Sequence, residues 1–217
     1  MSEQERLRRS WVANASSWCD AVRKQQIESR RVVTDAAIVE AVLEAHPRSV
    51  LDLGCGEGWL ARALASHGIE VTGVDASAPL IEAANALGGA RFLALGYEEL
   101  GALAGSSFDA VAANFSLLEE DVHAVLVALS ALLAPDGRLI VQTVHPAFAG
   151  GAYVDGWRTE TFAAFEGEWP EAMPWYFRTL ESWSGALAAA GYTIARMREP
   201  LHPERGVPAS VIFEARR

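Results

Sequence analysis

The stretch from Val50 to Gly58, VLDLGCGEG, constrains the fold more than any other part of the sequence. Its first four residues predict a buried strand and its glycines a tight turn. Residues 59–68 predict a helix that ends at Gly68, because glycine is favoured just past a helix end. A glycine-rich turn between a first strand and a first helix lets the backbone approach a ligand closely and directs helix N–H groups toward it. We therefore expect a ligand site at this turn.

Strands and helices alternate beyond this turn, which indicates parallel strands joined by crossover helices. The expected helices cover 59–68, 77–87, 121–134 and 178–190. The expected strands cover 50–53, 69–74, 91–95, 108–113, 138–144, 192–198 and 207–215. The pattern predicts an α/β protein built on a doubly wound sheet.

The segments that flank this core follow other patterns. Trp11, Trp18 and Val22 are spaced by seven and four residues, which fits one face of an amphipathic helix. A second helix over 33–45 is expected to end at His46, which precedes a proline. We predict a single domain over 1–217 made of four parts. These are a helical cap (1–47), a ligand-binding core (48–144), an insertion (145–177) and a carboxyl-terminal helix with a strand pair (178–217).

The insertion lacks any sustained hydrophobic period and is dense in aromatic side chains. Residues 145–185 contain ten of the nineteen aromatic residues of the chain. Long irregular segments in compact domains are usually functional or disordered, and this one is too aromatic for disorder. We expect it to form a lid or a pocket wall.

Composition and charge exclude several classes of partner. The formal net charge of −10 argues against nucleic acid, whose binding depends on neutralising phosphates. Cys19 and Cys55 form neither a disulfide framework nor a zinc ligand set, so no metal is expected. The first ten residues contain several charges where a signal peptide would need an apolar run. No apolar run in the sequence is long enough to span a membrane. We expect a cytoplasmic protein with no membrane partner.

The spacing of the glycines separates two classes of cofactor. Dinucleotide-binding turns need a small third residue, and Trp59 stands at that position. The alternative pattern, D-x-G-x-G-x-G, is complete and consists of Asp52, Gly54, Gly56 and Gly58. With this motif the sequence resembles the class I S-adenosylmethionine-dependent methyltransferases, of the small type that includes quinone-biosynthesis enzymes. The resemblance covers 48–144 and, less closely, the carboxyl-terminal helix and strands.

The resemblance implies a Rossmann-like, seven-stranded sheet whose last strand is antiparallel. It also implies S-adenosyl-L-methionine as cofactor and methyl transfer to a small molecule by in-line displacement. A non-catalytic protein that binds the same cofactor, a macromolecular methyltransferase and a nicotinamide-dependent oxidoreductase remain alternatives.

Further cofactor-binding residues follow from the resemblance. Asp75 ends the second strand about twenty residues after the glycine turn, where a carboxylate can accept hydrogen bonds from both ribose hydroxyls. Ala76 and Leu80 are expected to flank the adenine, and Cys55 to face the cofactor from the turn. Asp75 could instead cap the helix that begins near Ser77.

Three more positions complete the expected cofactor site. Where family members commonly carry an acid that binds the adenine, this chain has Gly96. Either backbone groups of Gly96 bind the adenine in place of that acid, or Tyr97 stacks on the base while Glu98 replaces the acid. Asn114 and Phe115 are placed beside the methionine moiety. Arg30 or Arg31 could pair with the cofactor carboxylate, and we include Arg31 in the predicted site.

The acceptor side is expected to combine a base with aromatic walls. His145 follows the fifth strand at its carboxyl end and is the candidate general base, although a structural role in a His-Pro turn is an alternative. Aromatic walls would favour a planar or apolar acceptor such as a phenol, unless these side chains form a small subcore. The candidate substrate-binding residues are Trp11, Trp18, Tyr153, Trp157, Trp175, Tyr176 and Arg178.

Overall fold

The computed structural model describes residues 1–217 and contains nine strands and eight α-helices. The helices are α1 (Glu3–Ala13), α2 (Ala15–Arg23), α3 (Asp35–Leu43), α4 (Trp59–Ala65), α5 (Ala78–Leu87), α6 (His123–Leu132), α7 (Pro146–Ala149) and α8 (Leu180–Ala189). The strands are β1 (Ser49–Leu53), β2 (Glu70–Asp75), β3 (Arg91–Ala94), β4 (Phe108–Asn114), β5 (Leu133–Val144), β6 (Gly156–Glu160), β7 (Met173–Phe177), β8 (Thr193–Arg198) and β9 (Ser210–Arg216). A π-helical turn (Arg30–Thr34) precedes α3, and a 3₁₀-helix (Tyr97–Leu103) follows β3.

Seven strands form one sheet in the order β3-β2-β1-β4-β5-β9-β8. Strands β1 to β5 pair in parallel, whereas β9 runs antiparallel to both β5 and β8. This confirms the Rossmann-like sheet with an antiparallel last strand. The strand order reverses between β1 and β4, and ligands of such sheets bind outside the carboxyl ends of the strands at this switch point.

Both faces of the sheet are buried under helices, and β1 shows how the sequence achieves this. Leu51 and Leu53 belong to a core cluster shared with α6 and α8. Val50 belongs to a second cluster, shared with α3, α4 and α5. Successive strand residues point to opposite faces, so one short apolar run supplies both layers.

The amino-terminal segment forms two helices rather than one continuous amphipathic helix. The helix is interrupted at Asn14. The Asn14 side chain is buried and forms hydrogen bonds with the insertion. The Asn14 amide donates to the Glu171 carbonyl oxygen at 2.7 Å, and the Glu171 N–H donates to Asn14 Oδ1 at 3.2 Å. The break still brings Trp11 and Trp18 together, with ring centroids 5.0 Å apart in an edge-to-face arrangement.

The insertion is more regular than the sequence predicts, because β6 and β7 pair as an antiparallel two-stranded sheet. Residues 161–172 connect these strands, a loop too long to carry a hairpin signal in the sequence. Two strands alone are only marginally stable, and here β7 packs against α1 of the cap. None of the helices is long and apolar enough to cross a bilayer.

Candidate active site

A cavity of about 710 Å³ opens at the carboxyl ends of the parallel strands. The cap and the insertion form the walls that face the sheet, so the cavity lies between the sheet and these two segments. Each of the five parallel strands contributes a residue at or just past its end. These residues are Gly54, Asp75, Ala94, Asn114 and Val144.

The glycine turn forms the floor of the cavity, and two of its glycines cannot be replaced without strain. Gly54 and Gly56 have φ values of +67° and +56°, a region that residues with a Cβ rarely adopt. A Cβ on Gly54 would lie 2.4 Å from the Cβ of Ser116. A Cβ on Gly56 would meet only Trp18 Nε1, at 3.6 Å, so bare backbone faces the cavity beneath that ring.

Asp75 lines the cavity at the end of β2 and connects two backbone segments. Its Oδ2 accepts the Gly56 N–H at 2.9 Å, and its Oδ1 accepts the Ser77 N–H at 2.8 Å. Burial raises the pKa of Asp75, and these two hydrogen bonds lower it in part. Each oxygen keeps a further lone pair, so the carboxylate both holds the turn and can accept from a ligand. Asp75 does not cap α5, because it accepts from the N–H of Ser77, the residue before the helix, and not from an N–H of α5 itself.

Two other motif residues support the turn from behind and do not line the cavity. Asp52 is 1% exposed, and its Oδ2 has no hydrogen-bond partner. Burial and the nearby Asp75 carboxylate raise the pKa of Asp52 to about 7. Gly58 has a φ of +83° and is the residue just before α4. A Cβ on Gly58 would lie 2.5 Å from the Phe92 ring. Neither residue can contact a ligand directly.

Three predicted neighbours of the cofactor line the cavity as expected from the sequence: Cys55, Ala76 and Leu80. Burial holds the pKa of the Cys55 thiol well above its usual value, so this thiol stays protonated. A protonated thiol is a weak nucleophile, and Cys55 is therefore a packing residue at the turn.

Of the two candidate arginines, the cavity contains Arg30 and not Arg31. Arg31 is exposed and points away, whereas Arg30 is 9% exposed. Arg30 Nε donates to Asp35 Oδ1 at 2.9 Å, and the guanidinium lies 4.7 Å from the centroid of the Trp59 ring. The Nη2 of Arg30 is buried without a hydrogen-bond partner. The predicted position is wrong by one residue: the π-helical turn at Arg30–Thr34 sets the rotation of the chain so that Arg30, and not Arg31, lines the cavity.

The residues expected at the adenine all line the cavity, but their polar groups have other partners. The Gly96 N–H donates to Glu99 Oε2 at 2.8 Å, and Glu98 receives two hydrogen bonds from Arg8 at 3.0 and 3.3 Å. The Tyr97 hydroxyl donates to the Ser116 carbonyl oxygen at 2.7 Å. Burial raises the pKa of Tyr97, and the Asp75 and Glu119 carboxylates raise it further.

The segment after β4 combines a fixed amide with a strained backbone. Gln142 Nε2 donates to Asn114 Oδ1 at 2.7 Å, which orients the Asn114 side chain at the cavity wall. Phe115 has a φ of +51°, a conformation that costs a bulky residue on the order of 1–2 kcal/mol. The Ser116 hydroxyl is buried and has no partner. Strain of this kind tends to persist at functional sites.

The cap and the insertion line the cavity with aromatic rings, but only some of the side chains predicted to bind substrate are among them. Trp11, Trp18 and Trp175 line the cavity. Further lining residues were not predicted: Arg8, Ser29, Trp59, Phe148, Glu119, Glu160, Phe162, Phe165 and Met173. Nothing in the local sequence marks these residues individually, and within the insertion no hydrophobic period shows which side chains face the cavity.

Four predicted substrate-binding residues lie outside the cavity. On β7, Trp175 faces inward, so its neighbour Tyr176 faces outward and contacts Trp157, its cross-strand partner. The Tyr153 side chain is 59% exposed, and its hydroxyl accepts the Leu180 N–H at 3.0 Å. Arg178 is buried, and its guanidinium donates to the main-chain oxygens of Glu119 and Glu120.

His145 also lies outside the cavity, and both its ring nitrogens are engaged. Its Nδ1 accepts the Ala147 N–H at 3.0 Å as the amino-terminal cap of α7. Its Nε2 therefore carries the proton and donates to Glu199 Oε1 at 2.9 Å. This arrangement matches the structural alternative and does not support a role as general base.

Comparisons with known proteins agree with this geometry. Residues 50–137 match the family model described as a methyltransferase domain. A ubiquinone biosynthesis O-methyltransferase of Xanthomonas axonopodis pv. citri is 32% identical over 142 residues, which cover 62% of this chain and 59% of that protein. An uncharacterised methyltransferase of Mycobacterium tuberculosis is 32% identical over 152 residues, which cover 64% of this chain and 73% of the relative.

Solved structures share the fold across the whole chain. The 1,6-didemethyltoxoflavin-N1-methyltransferase of Burkholderia thailandensis, with S-adenosylhomocysteine bound, superposes with a TM-score of 0.69 at 23% identity. That match covers 100% of this chain and 91% of the other. Of the two relatives found by sequence, this chain spans about three-fifths of the ubiquinone-biosynthesis protein and nearly three-quarters of the mycobacterial one. The glycine turn, the fold and these relationships together show that the chain belongs to the class I S-adenosylmethionine-dependent methyltransferase family.

Proposed function

We propose that this protein transfers a methyl group from S-adenosyl-L-methionine to a small acceptor with a flat, apolar body. One observation carries the proposal: a single cavity joins the glycine turn and Asp75 to the aromatic rings of the cap and insertion. A cofactor at the glycine turn and an acceptor at the aromatic rings would therefore share one cavity. Membership of the family sets aside the nicotinamide alternative.

The residues at the turn fit the family's cofactor. The bare backbone at Gly56 leaves room for the ligand beneath Trp18, and Asp75 can accept from ribose hydroxyls. The unpartnered Nη2 of Arg30 is a donor suited to the carboxylate of the methionine moiety. The unpartnered Ser77 hydroxyl, which also lines the cavity, adds a further polar group at this end.

The protein's own contribution to the reaction is alignment and exclusion of water. When bound, the cofactor supplies the activated methyl group. The rings of Trp11 and Trp175 hold the acceptor from the cap and from the insertion, while Asn114 and Phe115 fix the wall beside the turn. Alignment of this kind can supply about 7–11 kcal/mol of the barrier, provided the reacting atoms are held about 3–3.5 Å apart.

The aromatic lining supports a small acceptor and the acidic net charge does not favour nucleic acid. The names of relatives do not fix the atom that is methylated, since one is an O-methyltransferase and another an N1-methyltransferase. We keep the cytoplasm as the proposed compartment, in accord with two free cysteines.

Calorimetric titration with S-adenosylmethionine, S-adenosylhomocysteine and NAD tests the proposal. We expect both sulfur compounds to bind and NAD not to bind. Asp75→Asn should weaken their binding by about tenfold or more, because charge-assisted hydrogen bonds are lost. The matched control is Asp109→Asn, since Asp109 lies at the opposite end of the sheet and accepts the Arg48 N–H at 2.8 Å.

Absence of binding by either sulfur compound would contradict the proposal. If they bind, a panel of aromatic alcohols and amines is incubated with the protein and the cofactor and examined by mass spectrometry. We expect at least one panel member to gain a methyl group. Tight cofactor binding without turnover on any acceptor would favour the non-catalytic alternative.

A further inference from the structure

We propose, building on the function above, that the acceptor atom is the nitrogen of an amine, and that Glu119 is the carboxylate that binds it. Three features of the cavity support this: its charge, the absence of a hydrogen bond to the Glu119 carboxylate, and the aromatic rings in its lining.

The charged side chains that line the cavity are mostly acidic. Two are basic, Arg8 and Arg30, and Arg30 belongs to the cofactor end. Five are acidic: Asp75, Glu98, Glu99, Glu119 and Glu160. Charges act more strongly across a partly enclosed apolar space than in open water. Such a cavity opposes an anionic acceptor and favours one that is or becomes cationic.

Glu119 is the acid whose carboxylate is least occupied by the protein itself. Its side chain is 13% exposed, and it accepts no hydrogen bond. Arg8 comes no closer than 3.7 Å, because the same guanidinium makes two shorter bonds to Glu98. By contrast, Glu99 binds the Gly96 N–H and Glu160 binds the Phe162 N–H at 2.6 Å.

The main chain at Glu119 is fixed, although its carboxylate accepts no hydrogen bond and has only the 3.7 Å ion pair with Arg8. The buried Arg178 guanidinium donates to the Glu119 carbonyl oxygen and, at 2.7 Å, to that of Glu120. The preceding residue is also held, since the Tyr176 N–H donates to the Leu118 carbonyl oxygen at 2.8 Å. Arg178 is thus a positioning residue: it anchors the loop from which the Glu119 side chain reaches the cavity.

The aromatic rings favour the same class of ligand. Trp11, Trp175 and Phe162 line the cavity together with Glu119. The face of an aromatic ring attracts a cation, and the attraction strengthens where water is excluded. A cavity lined by both a carboxylate and several rings therefore suits an amine on a flat body better than a phenol or a carboxylic acid.

The chemical step balances with these groups alone. An amine that binds as its cation first gives one N–H proton to Glu119 or to water. The neutral nitrogen then forms a bond to the methyl carbon while the carbon–sulfur bond breaks, and the electron pair of that broken bond stays on sulfur as a thioether. The nitrogen becomes positively charged, and Glu119 offsets that charge or accepts the departing N–H proton. No further reactant is required.

The test compares three probes that share a body and differ in the charge of the head group: phenethylamine, phenethyl alcohol and hydrocinnamate. Each is titrated into the protein saturated with S-adenosylhomocysteine, and tryptophan fluorescence reports binding without turnover. We expect the amine to bind about tenfold or more tightly than either other probe. Glu119→Gln should remove this preference.

The matched control is Glu120→Gln, which also replaces a glutamate by glutamine, at the next residue of the chain. The Glu120 side chain lies outside the cavity and accepts from Trp157 Nε1 at 3.2 Å, so this variant should keep the preference. Equal binding of the three probes, tighter binding of the alcohol or acid, or no binding of the amine would overturn the inference. Titration of S-adenosylhomocysteine on the same sample distinguishes these results from failure of the proposed function.

Discussion

Replacement of Arg30 by alanine should separate ligand binding from stability. The Nη2 of this arginine is buried without a partner while the cavity beside it has room for a carboxylate. A charge-assisted hydrogen bond contributes about 1.5–3 kcal/mol, so Arg30→Ala should weaken S-adenosylhomocysteine binding by roughly 10- to 100-fold.

The cost to folding should be small, because two effects oppose each other. The variant loses the 2.9 Å bond to Asp35 and the contact with Trp59. It also removes an unpaired buried N–H group, whose desolvation costs about 1–3 kcal/mol. The Asp35 side chain left behind is 32% exposed and remains hydrated. We expect the free energy of unfolding without ligand to change by only about 1 kcal/mol.

Calorimetry and thermal unfolding with and without ligand measure both quantities. At a ligand concentration of 100 times the wild-type Kd, binding stabilises the wild type by about 2.7 kcal/mol and a 100-fold weaker variant by only about 0.4 kcal/mol. Arg31→Ala is the control, since Arg31 is exposed and outside the cavity. A Kd for Arg30→Ala within about twofold of wild type, or an equal loss in Arg31→Ala, would refute the assignment.

Two further predictions concern stability and closure of the cavity. Burial raises the pKa of Asp52 to about 7, so the folded state keeps a proton that the unfolded chain loses above about pH 4. The contribution of Asp52 to the free energy of unfolding should therefore fall as pH rises toward 7. In denaturant titrations at pH 5 and 8, the free energy of unfolding should change less favourably with rising pH in the wild type than in Asp52→Asn; the same change in both proteins would disprove this. Asn14→Ala removes both bonds to the Glu171 backbone, worth about 1–3 kcal/mol together, and should speed proteolysis within residues 161–172. Glu171→Ala keeps both backbone groups and loses only the solvent-accessible ion pair with Arg9, which contributes about 0–1 kcal/mol, so it should speed proteolysis much less. Equal cleavage of the two variants would contradict the role of Asn14.

The features predicted most securely from the sequence are those encoded by short-range rules. Positive φ at Gly54 and Gly56 requires glycine, and the strand before them is a continuous apolar run. These local requirements predict the turn, the alternation of strands and helices, and a cavity at the carboxyl ends of the strands. Asp75 was expected at this cavity for the same reason, since it ends a strand adjacent to the turn, and it does line the cavity.

The predictions that failed depended on which way a side chain faces, and pairing and packing decide that. Arg30 rather than Arg31 reaches the cavity because a π-helical turn sets the rotation of the chain there. Trp175 faces inward and Tyr176 outward because of the register of a hairpin that had no turn signal. His145 follows the expected strand, but an adjacent N–H and Glu199 occupy its ring.

The sequence by itself thus determined the fold, the family and the cofactor, because glycine conformation and strand periodicity are properties of neighbouring residues. Only the tertiary structure decided which side chains of the cap and the insertion line the cavity. That the Glu119 carboxylate accepts no hydrogen bond depends on Arg8 being held by Glu98, and its loop is anchored by Arg178. These contacts join residues distant in the chain, and no local pattern records them.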